Sequence, residues 1–249
     1  MSINIKLVIS YDGRAYLGWQ KTNMGLSIEE ILQRKLEQIL QHPIFLQAAS
    51  RTDAGVHANG QVINFITSKT NIHLSRLQMS LNRLLSKDII ILSAEEMPLE
   101  FHPTIDCLEK EYRYFICYGT TQLPHYRFYS WHVPHSLDIT AIQQALPSFM
   151  GLHNFAAFCN IKKTHRYKDF FRQVSSFTVC EIEKQRLEIR IKGKYFLYKM
   201  VRNLVGTLVD VGKRKIMPAD IPYILEQGKR CIAGVTAPAH GLFLHRVYY

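Results

Sequence analysis

One acidic residue stands between two strand-like runs in the stretch SRTDAGVHANGQVINF, residues 50–65. Asp53 follows Arg51 by two residues and precedes Gly55 by two. Glycine permits backbone conformations that a side chain opposes, which is typical of a tight turn. Such a turn can direct a carboxylate into a cleft, where it acts as a nucleophile or a base. The other interpretation is that Asp53 only accepts hydrogen bonds from turn amides.

His57, four residues after Asp53, suggests metal binding or acid–base chemistry. A hydrolase or nuclease that uses Asp53 together with His57 is therefore one hypothesis. No second carboxylate or histidine has metal-ligand spacing with His57, however. The sequence thus predicts a structural His57 and no bound metal.

The charge balance indicates a polyanionic partner. The chain has 249 residues, with 31 Lys and Arg against 20 Asp and Glu, which gives a formal net charge of +11. Each neutralised phosphate releases condensed counterions, so basic proteins gain free energy on nucleic acids. A merely basic surface is the alternative. No arginine-rich tail is present, so we expect the charge on folded surface.

The cysteine pattern argues against a disulfide framework, because the number is odd and no C-x-x-C pair occurs. We expect reduced, buried thiols in a cytoplasmic protein. No run of about 18 apolar residues is present, and the first apolar run is too short for a signal peptide. Secretion and membrane spanning are therefore not expected. The cysteines are Cys107, Cys117, Cys159, Cys180 and Cys231.

The first hundred residues predict the β-α-β-β-α-β order of a ferredoxin-like unit. INIKLVISY, IFLQAAS, GQVINFIT and DIIILSAEE have the composition of strands. SIEEILQRKLEQIL is helical, and Ser27 with Glu30 forms its capping box. The second helix is marked by leucines. The apolar faces are Ile28, Ile31, Leu32, Leu36, Ile39 and Leu40 in the first helix and Leu77, Leu81, Leu84 and Leu85 in the second.

The second half repeats this order with insertions. The composition predicts a strand in EYRYFICYG, followed by a helix in TAIQQALPSFM. A hairpin is predicted in QVSSFTVCEIE and RLEIRIKG. A helix in LYKMVRNLVGTLVDVG and a closing strand in GLFLHRVYY complete the order, with an extra short helix around 219–228. We therefore expect an α+β protein with two ferredoxin-like lobes, residues 1–105 and 106–249. Side by side, they form a continuous, mostly antiparallel sheet with helices on one face and a central active-site cleft.

Five sequence blocks together resemble the bacterial tRNA pseudouridine synthase A family. They are SRTDAGVHANGQV, YDGRAYLGWQ, KEYRYF, GKYFLYKMVRNLVGTLVDVG and APAHGLFLHRVYY, and RTDAGVHA is the most specific. The resemblance covers nearly the whole chain. It implies that Asp53 is the catalytic aspartate, Tyr112 the active-site aromatic residue and Arg202 their basic partner.

The chemistry of that family explains these residue types. Pseudouridine forms when the N1–C1′ bond of uridine breaks and C5 joins C1′, which implies no cofactor. Asp53 must stay ionised while poorly hydrated, and the guanidinium of Arg202 offsets that desolvation. The ring of Tyr112 holds the detached base by stacking. Arg51 fills the space of the flipped nucleotide or holds a phosphate.

The resemblance also implies a partner and an assembly. Family members act on positions 38, 39 and 40 of the tRNA anticodon stem-loop as homodimers. A dimer presents a wider basic surface, so one tRNA is held away from the subunit that modifies it.

Several positions depart from the family pattern. Pro103 and Thr104 stand where an arginine-containing block is common, followed by Cys107. Asn154 replaces a usual Asp, and Ser50 replaces a common Gly. They leave open a paralogue that acts on another tRNA position or another RNA. The rival from a different class is a non-catalytic RNA-binding protein for which Asp53 is dispensable.

Overall fold

The structure is a computed structural model that describes residues 2–161 and 167–249. The chain forms two compact units: residues up to Leu108 together with Phe243–Tyr249, and Glu109–Leu242. No helix in the described residues is long and apolar enough to cross a membrane. We refer to the two parts as unit 1 and unit 2.

Unit 1 has the strand order of a ferredoxin-like sheet. β1 lies between β4 and β3 and is antiparallel to both, and β2 pairs antiparallel with the other side of β3. The end of the chain, β11, pairs in parallel with β3 through Phe243 and His57. The elements are β1 (Ile3–Tyr11), α1 (Ile28–Leu40), β2 (Gln47–Ala48), β3 (His57–Thr67), α2 (Leu74–Leu84), β4 (Ile89–Met97) and β11 (Leu242–Tyr248).

Helix α1 follows its sequence signals. The Ser27 side chain accepts a hydrogen bond from the Glu30 N–H, as the capping box predicts, and Gln41 ends the helix in the left-handed conformation with φ 57°. Its apolar face packs into the core, with Ile31 and Ile39 only partly buried at the flanks. The fully buried positions are Ile28, Leu32, Leu36 and Leu40.

Unit 2 is built around an antiparallel sheet in the order β5-β10-β9, with β6 parallel to β5. β7 and β8 form a separate antiparallel pair. The core helix is α4, which is buried at nearly every position. The elements are β5 (Glu109–Tyr118), β6 (Trp131–Val133), α3 (Ile139–Ala145), β7 (Gly151–Asn154), β8 (Phe171–Val174), β9 (Ser176–Glu183), β10 (Arg186–Gly193), α4 (Met200–Gly212) and α5 (Ile221–Gln227).

The α+β class with mostly antiparallel strands is confirmed, whereas several element bounds are not. The predicted strand IFLQAAS is reduced to β2, because the Ile44 N–H donates to the Glu37 carboxylate. α3 ends before Pro147, which cannot donate to the helix ladder. α4 begins only at Met200, because Lys199 is left-handed with φ 60°.

The closing strand differs from the sequence prediction in its grouping. GLFLHRVYY was expected to complete the second lobe, yet Phe243–Tyr249 groups with unit 1. Besides the pairing of β11 with β3, the Tyr249 hydroxyl donates to the Pro103 carbonyl at 2.8 Å, and the Leu108 N–H donates to the Tyr248 carbonyl at 2.9 Å. The short strands β6, β7 and β8 were not predicted as separate elements. A sheet continuous through both lobes, and a cleft, stay predictions.

Candidate active site

Asp53 opens a tight turn just before β3. The Val56 N–H donates to the Asp53 carbonyl at 3.1 Å, and Gly55 adopts φ 78°, the left-handed conformation that the sequence predicted there. The Asp53 side chain is half-buried, while Arg51 is exposed. Within the described residues, Arg51 makes no hydrogen bond or ion pair. We call residues 53–56 the Asp53 turn.

The loop from residue 12 to residue 19 packs directly on this turn through two glycines. A β carbon on Gly13 would lie 2.0 Å from the Val56 carbonyl oxygen. A β carbon on Gly18 would lie 2.5 Å from the Thr52 carbonyl oxygen, and Gly18 also has φ 94°. Distances this short leave no room for a side chain at either glycine. The backbone of the loop therefore contacts the backbone on both sides of the Asp53 turn.

Hydrogen bonds fix the same contact. The Trp19 N–H donates to the Thr52 carbonyl at 3.0 Å, and the Thr52 hydroxyl bonds to the Tyr11 hydroxyl at 2.7 Å. His57 is 1% exposed, and its Nδ1 accepts from the Gly13 N–H at 3.2 Å. His57 is therefore part of the framework, as the sequence predicted.

The far side of the loop is anchored at the start of β4. The Asp12 N–H donates to the Asp88 carbonyl at 2.9 Å, and the Tyr16 hydroxyl donates to the Asp88 carboxylate at 2.7 Å. Burial, more than any neighbour, raises the pKa of Tyr16 to about 12. Tyr16 therefore remains a neutral donor over the physiological pH range.

Tyr112 lies on β5 of unit 2, opposite Ile191 of β10. Its ring is 6% exposed and packs against Phe196 edge to face, with centroids 5.2 Å apart and an interplanar angle of 84°. The ring is therefore rigidly held. Only a small part of it is open to contact with a base, so the stacking surface predicted from the sequence is limited.

Arg202 lies in the first turn of α4 and is half-buried. Its Nε donates to the Ala237 carbonyl at 2.7 Å, and the Ala237 N–H donates back to the Arg202 carbonyl at 3.0 Å. The next residue, Pro238, accepts from the Tyr114 hydroxyl at 2.8 Å. Arg202 is thus held by the segment that precedes β11.

The charge of Arg202 affects the pKa of two neighbouring side chains. Burial raises the pKa of Tyr114, and Arg202 opposes that rise. Burial lowers the pKa of His240, and Arg202 lowers it further. Tyr114 is two residues from Tyr112 on β5, so their side chains lie on one face of the strand. Unit 2 therefore places Tyr112 and Arg202 on one side of β5, whereas Asp53 belongs to unit 1.

Sequence reasoning missed the residues that hold Arg202 in place. Gly206, Gly234 and Thr236 make close contacts there, and of these only Gly206 lies within one of the five sequence blocks. The signal in the sequence was the pair of glycines, because each marks a close backbone approach.

A family model and individual relatives agree on one class of enzyme. A family model described as tRNA pseudouridine synthase matches residues 7–106 and 145–249. The chain therefore belongs to the tRNA pseudouridine synthase family, whose members are isomerases.

Individual relatives have names of the same kind. "tRNA pseudouridine synthase A 2" of Protochlamydia amoebophila is 57% identical over 99% of this chain and 94% of the relative. "tRNA pseudouridine synthase A" of Acetivibrio thermocellus is 40% identical over 99% of both chains. A solved Cbf5–Nop10–Gar1 complex contains a chain that is 13% identical, with a TM-score of 0.41 over 96% of this chain and 48% of that one.

Proposed function

We propose that this enzyme converts uridine to pseudouridine at positions 38, 39 and 40 of the tRNA anticodon stem-loop, as a cytoplasmic homodimer without a metal or cofactor. In this reaction, the N1–C1′ bond breaks and a C5–C1′ bond forms. C5 gives up its hydrogen and N1 gains one, so the composition of the nucleotide is unchanged. The family assignment and the net charge of +11 support an RNA substrate.

The observation that carries the proposal is the immobilised Asp53 turn. Its backbone is contacted by Gly13 and Gly18 and held by the Trp19 N–H on the adjoining Thr52. A nucleophile must reach its reacting atom within a few tenths of an ångström, which such a preorganised turn supports. Asp53 either attacks the nucleotide covalently or takes a proton from the sugar.

Tyr112 and Arg202 have different roles in this proposal. Tyr112, held by Phe196, contacts the detached base through the small part of its side chain that is exposed and offers its hydroxyl for proton removal. Arg202 keeps the Asp53 carboxylate ionised as the pocket loses water. Arg51, exposed beside the turn, occupies the space left by the flipped uridine or contacts a phosphate.

The test is to incubate the protein with unmodified tRNA transcripts and to map pseudouridine along the whole RNA by a base-specific chemical method. Product at positions 38, 39 and 40 is expected. Transcripts with cytidine at those positions are the matched control and must yield none there. Binding without any product supports the non-catalytic RNA-binding protein instead.

Mapping the whole transcript also tests the departures from the family pattern. The Thr104 hydroxyl donates to the Ala48 carbonyl at 2.7 Å, and the Asn154 side chain accepts from the Ala156 N–H at 3.0 Å. Thr104 thus bonds to the distant strand β2, whereas Asn154 bonds locally, to the residue two positions further along the chain. Product only at other positions indicates a paralogue with a different RNA site. Activity lost in EDTA and restored specifically by a divalent ion supports the hydrolase hypothesis with His57.

A further inference from the structure

We infer that Arg230 is a positioning residue for Arg202, acting through the segment Ala233–Ala237. The inference rests on the proposed function, because it assumes that Arg202 supports the chemistry of Asp53. Arg230 itself lies outside the proposed site and follows α5 in sequence.

Every nitrogen of the Arg230 guanidinium donates to an oxygen acceptor. A guanidinium has five N–H donors in a fixed planar fork, and no other side chain offers as many. Two of the acceptors are backbone carbonyls and three are neutral side chains. The contacts are Nε to Asn160 Oδ1 at 3.4 Å, Nη1 to the carbonyls of Ala233 at 3.4 Å and Gly234 at 2.8 Å, and Nη2 to Asn203 Oδ1 at 2.9 Å and Thr236 Oγ1 at 3.0 Å.

Two of these acceptors are sequence neighbours of Arg202 and Ala237, which bond to each other at the proposed site. Asn203 follows Arg202 on α4, and Thr236 precedes Ala237. The Thr236 hydroxyl donates to Asn203 Oδ1 at 2.6 Å, so Arg230, Asn203 and Thr236 form a closed triangle of hydrogen bonds. The triangle fixes the distance between α4 and the segment Ala233–Ala237. It lies beside the hydrogen bond from Arg202 Nε to the Ala237 carbonyl.

The backbone leaves this segment little room to adjust. A β carbon on Gly206 would lie 1.6 Å from the Val235 carbonyl oxygen, and one on Gly234 would lie 2.6 Å from the Thr207 Cα. The Gly234 N–H also donates to the Thr207 hydroxyl at 2.9 Å. Because the segment and α4 are in direct contact, a shift caused at Arg230 is transmitted to Ala237.

The position of Arg230 costs free energy, because its half-buried guanidinium is partly desolvated. Burial lowers its pKa, and within the described residues its side chain forms no ion pair with a carboxylate. A partly buried cation among neutral acceptors is more costly than a paired one. Its fork of donors joins α4 to the segment, which is a geometric function rather than a charge-pairing one.

The expected effect of Arg230→Met is on turnover rather than on tRNA binding. A misplacement of about 1 Å costs about 100-fold in rate, so a smaller displacement of Arg202 should cost about 10-fold to 100-fold. The single-turnover rate should fall within that range, with the Kd for tRNA changing by less than about 3-fold. Arg230→Lys keeps part of the donor set and should be intermediate.

The experiment is a double-mutant cycle with Arg202→Met, measured as single-turnover pseudouridine formation. If Arg230 acts through Arg202, the double variant should be as slow as Arg202→Met alone. Arg214→Met is the matched control, because this exposed arginine follows the other end of α4 and pairs with Asp138. It should leave the rate unchanged.

Independent, multiplicative losses in the double variant overturn the inference and leave the proposed function intact. A parent-like rate for Arg202→Met overturns the inference and the role proposed for Arg202, whereas the absence of pseudouridine with the parent protein overturns the proposed function. If Arg230→Met does not fold, Thr236→Val takes its place in the cycle, because it removes the hydroxyl that joins Asn203 to Arg230 with little change of shape. The same non-additivity with Arg202→Met is expected, and its absence counts against the inference.

Discussion

Gly13 lies directly against the carbonyl oxygen of Val56, so close that a β carbon on Gly13 would lie 2.0 Å from that oxygen. The contact joins two blocks that are about forty residues apart in sequence, YDGRAYLGWQ and RTDAGVHA. Neither block orders the Asp53 turn by itself. Their interlocking holds the backbone that carries the Asp53 carboxylate, so the glycine, although chemically inert, supports the chemistry.

Gly13→Ala should therefore displace the Asp53 turn. Its methyl group would overlap the Val56 carbonyl, and overpacking of this kind costs about 1–3 kcal/mol. We expect a lower Tm together with a loss of turnover greater than the loss of tRNA affinity. Thermal unfolding and single-turnover assays measure both. Ala15→Ser, at an exposed position in the same loop, is the control and should behave like the parent.

Asp53→Asn tests the carboxylate itself. The change removes a charge and a nucleophile but little shape, so we expect no product and a tRNA Kd within a few-fold of the parent. Pseudouridine mapping and filter binding on the same preparation separate the two effects. Turnover near that of the parent would show that Asp53 accepts turn hydrogen bonds only. Ala54→Ser, in the same turn, controls for general disturbance.

The periodic elements of the fold were predictable from the sequence, whereas its exceptions depend on distant partners. α1 follows its capping box and its apolar spacing because both signals are local. The strand expected in IFLQAAS is shortened to β2, and its first residue, Ile44, bonds instead to Glu37 of α1, a contact that no local pattern reveals. The late start of α4 depends likewise on a left-handed Lys199, a conformation that lysine rarely adopts.

At the candidate site, the local turn was predictable from the sequence, whereas the long-range contacts were not. Asp53 and Gly55 are marked by turn chemistry, so the turn itself could be expected. The contact of Gly13 with Val56 and the triangle around Arg230 join segments far apart in sequence. Such contacts follow from the tertiary path of the chain, which residue spacing alone does not encode.

Affinity for tRNA should fall steeply with salt, and α2 should contribute to that dependence. α2 contains no acid and exposes Arg76 and Arg83, which make no ion pair within the described residues. Replacing both by Gln should reduce the slope of log K against log salt by about 0.7–0.9 for each phosphate that these arginines neutralise in the parent. Binding titrations at several salt concentrations provide the slopes.

The matched control for α2 is the neighbouring helix α1, where Arg34 is paired with Glu30 at 2.6 Å. Arg34→Gln combined with Lys35→Gln should change the slope less, because Glu30 already pairs with Arg34 and α1 contains several acids, whereas α2 contains none. Equal slopes for the two double variants would mean that α2 has no special contact with RNA. A flat salt response of the parent would contradict an RNA substrate.

His240 should make stability depend on pH. Burial lowers its pKa below the usual 6.5, and its Nε2 bonds to the Ser130 carbonyl at 3.1 Å. The unfolded chain takes up a proton more readily than the folded one, so this contribution to stability is present above about pH 6.5 and is lost as pH falls through the lower folded pKa. Tm measured from pH 8 to pH 5 should fall less in His240→Gln. Identical curves would contradict this prediction.

The last prediction separates the roles of Tyr112 and Arg202. Tyr112→Phe keeps the packing against Phe196 and loses the hydroxyl, so a late proton-removal step should slow while base flipping persists. Tyr112→Leu loses ring and hydroxyl together and should be slower still. Arg202→Met instead leaves Asp53 without its cationic partner in a desolvated pocket, so activity should rise with pH over the range in which the carboxylate ionises.

Single-turnover pseudouridine formation across pH, for the three variants and the parent, distinguishes these outcomes. The parent and both Tyr112 variants should show no such rise near neutrality, because they retain the proposed pair of Arg202 and Asp53. If Arg202→Met is slow but keeps the pH profile of the parent, then Arg202 binds a phosphate and does not pair with Asp53. In that case, tRNA affinity should fall with the rate, and its salt dependence should weaken by the amount expected for about one phosphate.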